Sequence, residues 1–119
     1  PEYKNLLVDS DLESPNVTFF ENPIAACEEA NIITTDVWTS MGFEAEQNQR
    51  NKTFQAWRVD ADKIKVARED VLFMHCLPAH RGDEVSSDVI DGPNSVVFEE
   101  AENRLHVQKA LLEQILVNK

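Results

Sequence analysis

The sequence predicts an α/β domain of the doubly wound kind, a parallel sheet covered by helices on both faces. Two observations carry this. Short β-rich runs, among them Ile32-Ile33-Thr34-Thr35 and Val71 to His75, alternate with stretches of helical character. Strong punctuation separates them, at Ser14-Pro15-Asn16, Asn22-Pro23 and Asp91-Gly92-Pro93. In open sheets of this kind, binding sites form just outside the carboxyl ends of the strands. The run Phe73-Met74-His75-Cys76-Leu77-Pro78-Ala79-His80-Arg81-Gly82 delivers several chemically capable groups to such an edge, so the chain is organised around it.

Taken in order, Tyr3 to Leu12 reads as the end of a helix, with Tyr3, Leu6 and Leu7 on one side and Glu2, Lys4, Asn5 and Asp9 on the other. No capping residue precedes Pro1, so this helix is expected to be cut from a longer chain. Val17-Thr18-Phe19-Phe20 is a β-rich run. Asn22-Pro23 is a helix start, since proline at the first helical position gives up an N–H that has no partner there. The helix it opens is short, Ile24 to Ala30, and the strand Ile32 to Thr35 follows. Glu44 to about Trp57 is rich in Glu, Gln, Asn, Arg and Lys and reads as a solvated helix beside a mobile loop pivoting at Gly42.

Asp60 to Ala67 gives a further short helix with Ile64 and Ala67 inward, and then comes the strand Val71 to His75. Glu84 to Ile90 reads as helical and stops at Asp91-Gly92-Pro93. Ser95 to Phe98 is a last strand. Glu99 to Val117 is the longest helix, with Leu105, Ala110, Leu111, Ile115 and Leu116 as a broad apolar stripe.

The totals narrow the function. A length of 119 residues suits one small domain with a real core. The net charge of −11 argues against a nucleic acid or an anionic membrane as partner, because both require a basic footprint. An anionic substrate needs only one or two placed cations. No apolar run approaches the roughly 20 residues of a membrane span, and no signal pattern stands at the amino terminus, so the expected compartment is the cytoplasm. The two cysteines, Cys27 and Cys76, read as reduced thiols. Neither has a CxxC partner, and His75, His80 and His106 lack zinc-finger spacing, so no metal site is expected.

The residues with chemistry each admit a plain reading. Cys76 after a strand is most often a small buried apolar residue. Pro78 fixes its own φ and drives Leu77 towards an extended backbone, making a stiff turn that can present the carbonyls of Cys76 and Leu77 to a cation. Asp36 ends its strand as Cys76 ends its own, so both would lie along one sheet edge, where a carboxylate suits a substrate ammonium or simply caps a turn. Ser40-Met41-Gly42 is an ordinary loop or the hinge of a closing lid. Arg104 is a surface charge or a fork for phosphate or a carbonyl oxygen. His80 and His106 read as solvated or structural.

In combination, and in this order, Asp36-Val37-Trp38-Thr39-Ser40-Met41-Gly42, His75-Cys76-Leu77-Pro78 and Glu99-Glu100-Ala101-Glu102-Asn103-Arg104 closely resemble the ornithine carbamoyltransferase family. The resemblance covers nearly the whole chain, as the carboxy-terminal, amino-acid-binding part of that enzyme. Aspartate carbamoyltransferases share the pattern but carry proline where Cys76 stands. The resemblance implies a Rossmann-like domain incomplete at its amino-terminal side, in which residues 1–119 are part of the ornithine-binding domain and the carbamoyl-phosphate-binding domain is absent.

It also implies roles. Asp36 would bind the α-ammonium of ornithine, with Ser40 and Met41 holding the amino acid as the loop closes at Gly42. Cys76 and the Leu77 carbonyl would sit near the δ-amine and the carbamoyl group. Arg104 would reach carbamoyl phosphate, and His75 and Pro78 would support the turn. The δ-amine must attack as a free base although an alkyl ammonium has a pKa near ~10.4 in water, so desolvation and positioning must offset that penalty. Arg104 would stabilise the developing oxyanion, and phosphate would leave.

No metal or organic cofactor is implied; the parent is expected to be a cytoplasmic homotrimer of arginine biosynthesis. The family's Ser-x-Arg-Thr phosphate loop does not occur in these residues, so the chain alone is expected to be inactive. If central strands are missing, Val17 to Phe20 would lose its neighbours while the three later strands still pair, and open edges would invite association. The alternatives are a non-catalytic α/β module that binds an amino acid or a protein, or a carbamoyltransferase for another amine such as putrescine.

Overall fold

A computed structural model describes residues 16–39 and 47–117. Its elements are helix α1 (Pro23–Cys27), strand β1 (Ile32–Thr35), helix α2 (Gln47–Phe54) running into a 3₁₀ turn (Gln55–Trp57), helix α3 (Ala61–Val66), strand β2 (Leu72–His75), helix α4 (Ser87–Ile90) and helix α5 (Val97–Val117). The chain is thus a partial α/β, Rossmann-like domain. β1 and β2 pair in parallel with Ile32 opposite Leu72 and Thr35 opposite His75. Both strands therefore end at the same edge.

The local causes are legible. The Asn22 side chain accepts from the amides of Ile24 and Ala25 at 2.9 and 3.4 Å and opens α1 with Pro23 in its first turn. Asp60 caps α3 through the Lys63 amide and also holds the buried Lys63 ammonium at 3.3 Å. The pleat sends Ile33, Phe73 and His75 to one face, where they join Val59, Val71, Val85, Val89, Ile90 and Val97 in the core. Ile64 and Ala67 pack against that core from α3, as their spacing predicts. The opposite face carries Ile32 and Leu72, neighbours across the ladder, and it is open: they are 55% and 42% exposed.

Four expectations change. Val17 to Phe20 forms no strand; it is exposed and irregular, because no neighbouring strand among the described residues offers it a ladder. Ser95 to Phe98 contributes one parallel bridge, Ser95 to Phe73, through bonds of 2.8 and 3.0 Å, and from Val97 onward the chain is already helical. Helix formation over Glu84 to Ile90 is confined to Ser87–Ile90. Glu84 and Ser86 exchange backbone bonds of 2.9 Å with Val59 instead, and Glu84 is drawn inside. The helix expected to Ala30 stops at Cys27, where Glu28 turns extended and Glu29 takes a positive φ of 55° so that its amide can reach the Val66 carbonyl.

The terminator after α4 behaves as its sequence predicts, since a Cβ on Gly92 would run into the Asp88 carbonyl. The solvated helix is also found, as α2 with no buried residue. α5 exists, but its apolar stripe is uncovered: Leu105, Leu111, Ile115 and Leu116 are all exposed, and Val97 is the one buried residue of this helix among those described. Val97, buried, and Glu100, bonded to the His75 amide, tie its first turn to the sheet. The reading of Tyr3 to Leu12 as helix, and of a loop pivoting at Gly42, lies outside the described residues.

Candidate functional site

The parallel register fixes the site. With Thr35 opposite His75, the next residue of each strand, Asp36 and Cys76, emerges side by side at the carboxyl edge. The Cys76 thiol donates to Asp36 Oδ1 at 3.2 Å, and the Val37 amide donates to the same oxygen at 2.7 Å. Both residues are exposed. The bond to Asp36 pushes the Cys76 thiol above its ordinary pKa, helped by partial burial and by the carboxylate charges nearby. Since the thiolate is the nucleophilic form, Cys76 is suited here to act as a thiol that donates and contacts, not as an attacking group.

The turn after Cys76 is held from beneath. His75 is fully buried, and its Nδ1 accepts the Leu77 amide at 2.9 Å. Its backbone amide donates to Glu100 Oε2 at 2.9 Å, tying β2 to the first turn of α5. Leu77 adopts a positive φ of 53°, a region that costs a side-chain-bearing residue of order 1–3 kcal/mol unless its surroundings impose it. The His75 ring supplies that constraint. The expectation of an extended Leu77 is corrected by this geometry. The Leu77–Pro78 bond is cis.

Of the residues singled out from sequence, the fold brings together Asp36, His75, Cys76, Leu77 and Pro78. Arg104 sits apart, exposed on α5 one turn beyond Glu100, and no described contact joins it to the Asp36–Cys76 pair. Ser40, Met41 and Gly42 lie outside the described residues. Two residues that the sequence reading passed over matter: Glu84, fully buried against His75, and Glu100. A carboxylate shows its burial only once the chain has folded, so spacing gave no signal for either. Among the described residues no three His, Cys, Asp or Glu side chains converge as a metal ion would require.

Cavity size does not locate the site. A cavity of about 690 Å³ lined by Glu29, Ala67, Arg68, Glu69 and Asp70 lies at the opposite, amino-terminal ends of the strands. The strand-end pair, with its braced turn, instead sits where a parallel sheet gathers ligands.

Residues 5–115 match the family described as aspartate/ornithine carbamoyltransferase, Asp/Orn binding domain. The chain belongs to this family.

Its relatives agree. The chain is 57% identical over all of its 119 residues to an ornithine carbamoyltransferase of Methylobacillus flagellatus, of which it covers 37%. Against the crystal structure of ornithine carbamoyltransferase from Burkholderia thailandensis it superposes with a TM-score of 0.76 at 46% identity, covering 95% of this chain and 36% of that one. The enzyme from Pyrococcus furiosus gives a TM-score of 0.72 at 58% identity over 77% of this chain and 29% of its own. The chain thus spans about a third of the length of the carbamoyltransferases it matches.

Proposed function

We propose that these residues form part of the ornithine-binding domain of an ornithine carbamoyltransferase, whose parent transfers the carbamoyl group of carbamoyl phosphate to the δ-amine of ornithine, giving citrulline and phosphate. The observation that carries this is the Asp36–Cys76 pair, with its 3.2 Å bond at the shared strand edge, within a chain of that family. Both bonds described to Asp36 fall on Oδ1. Oδ2 is therefore the oxygen proposed for the α-ammonium of ornithine, with Ser40 and Met41 proposed to help hold the amino acid.

The chemistry follows from the groups. An alkyl ammonium must lose its proton before it can attack, and a dry, closed site favours the free amine. Cys76, kept as a thiol by Asp36, offers the δ-amine a polar contact without a competing nucleophile. The Leu77 carbonyl, aimed by the braced turn, accepts from an amine hydrogen and orients the nitrogen lone pair toward the carbamoyl carbon. As the C–N bond forms, charge gathers on the carbamoyl oxygen, and Arg104 is proposed as its donor in the full-length parent. The C–O bond to phosphate then breaks, and the departing phosphate takes the amine proton.

The parent is proposed to be a cytoplasmic homotrimer of arginine biosynthesis. The test is citrulline formation from ornithine and carbamoyl phosphate, first with this chain alone and then with the remainder of the parent supplied. Turnover only in the second mixture is expected, with none from putrescine. Turnover by the chain alone would overturn the assignment of the phosphate site to the other part of the parent.

A further inference from the structure

Outside the residues given substrate contacts, one carboxylate organises the turn that carries them. Glu84 and His75 are both fully shielded from solvent. Glu84 Oε1 accepts the His80 amide at 2.6 Å and lies 3.2 Å from His75 Nε2. On the far side of the ring, the Leu77 amide lies 2.9 Å from Nδ1. An amide can only donate, so Nδ1 must offer its lone pair. Nε2 then carries the hydrogen and directs it at Glu84. The ring is thereby locked in one tautomer by two bonds that agree. Had Nδ1 carried the hydrogen, it would face the Leu77 amide hydrogen, and Leu77 would lose the bond that holds its positive φ.

Glu84 also shares the lining of a small cavity with Thr39, three residues beyond Asp36. Its second oxygen and the hydroxyl of Thr39 are both buried without a hydrogen-bond partner among the described residues, and that cavity measures about 10 Å³. His80 Nδ1 stands 3.9 Å from that oxygen. One carboxylate therefore backs the turn leaving Cys76 through both His75 and the His80 amide.

We propose that Glu84 is a positioning residue for carbamoyl transfer: it fixes the Nε2–H tautomer of His75, which pins the Leu77 amide and so aims the Cys76–Leu77 backbone at the substrates. This rests on the roles proposed above for Asp36, Cys76 and Leu77. Glu84 touches no reacting atom. Its effect passes through His75, as an orienting carboxylate acts through a ring that it holds.

The test pairs Glu84→Gln with Glu84→Leu in the full-length parent. Glutamine keeps an oxygen that accepts both hydrogens, so the tautomer and kcat should stay near wild type. Leucine removes the acceptor, and kcat should fall between about ten- and a hundredfold, the scale expected when a reacting group is displaced by about 1 Å. The KM for carbamoyl phosphate should move little. Imidazole nitrogen NMR supplies a readout independent of turnover: wild-type His75 should be protonated at Nε2 and bare at Nδ1, and should stay so in Glu84→Gln. A wild-type ring protonated at Nδ1, a Glu84→Leu enzyme with undiminished kcat, or a Glu84→Gln enzyme as impaired as Glu84→Leu would each overturn the proposal. If wild-type parent makes no citrulline, the proposed function fails, and the ring spectrum still decides the tautomer lock separately.

Discussion

Phe73→Ala, set against Leu72→Ala, tests the one-sided core directly. The two residues are adjacent on β2 and point to opposite faces, with Phe73 at 0% exposure and Leu72 at 42%. Phe73 sits at the centre of the ladder, opposite Ile33 and bridged to Ser95. Emptying a fully buried phenylalanine site removes its transfer energy and leaves a cavity, together about 3–5 kcal/mol. Leu72 lines an open face, so its truncation leaves no enclosed cavity. Only the buried part of a transfer energy of roughly 1.5–3 kcal/mol is then lost, about 1 kcal/mol.

Domains of this size commonly have about 5–15 kcal/mol in total, so the first change removes about a fifth of it at least and the second a smaller share. With a urea m-value of about 2 kcal/mol per molar, the Phe73→Ala midpoint should drop by about 2 M and the Leu72→Ala midpoint by about 0.5 M. Urea titrations followed by the fluorescence of Trp38 and Trp57 read this directly. Equal losses for the two variants, or a loss below about 1 kcal/mol for Phe73→Ala, would refute the one-faced packing described here. In the full-length parent the Leu72→Ala penalty should grow, because the proposed remainder of the domain would cover that face.

Three further outcomes are expected. Cys76 should alkylate more slowly than a free thiol at pH 8, and Asp36→Asn should speed it, because removing the carboxylate removes the main cause of the raised thiol pKa. The linkage has a definite sign: with the folded pKa raised, the stabilisation from this bond is complete below the unfolded thiol pKa and is lost as pH rises through the folded one, so unfolding midpoints of wild type and Asp36→Asn should converge in alkaline solution. Asn22→Ala should cost about 1 kcal/mol by leaving the Ile24 and Ala25 amides without their cap, read as a lower thermal midpoint.

Much of the fold and the site was legible in the sequence where local rules act alone. Ile32 to Thr35 is a strand because its β-branched run is bounded on both sides, and Asn22-Pro23 opens a helix because capping is a matter of three residues. The carboxyl-edge placement of Asp36 and Cys76 follows from each residue ending its strand in a parallel pair. Legibility failed where distant partners compete for the backbone. Glu84 to Ser86 had helical character, yet Val59 claimed their hydrogen bonds. Val17 to Phe20 had strand character and found no described neighbour to pair with.

The sequence by itself determined the strands β1 and β2, the cap that opens α1, and the motifs that mark the carbamoyltransferase family, since each depends on residues close together in the chain. Tertiary structure alone decided three things. It buried Glu84 against His75, nine positions apart, and so chose the ring's tautomer. It bent Leu77 to a positive φ by giving its amide a ring nitrogen to reach. It packed the first turn of α5 on the sheet through buried Val97 and the bond from the His75 amide to Glu100, because a stripe states what a helix can bury and only packed neighbours select which part is buried.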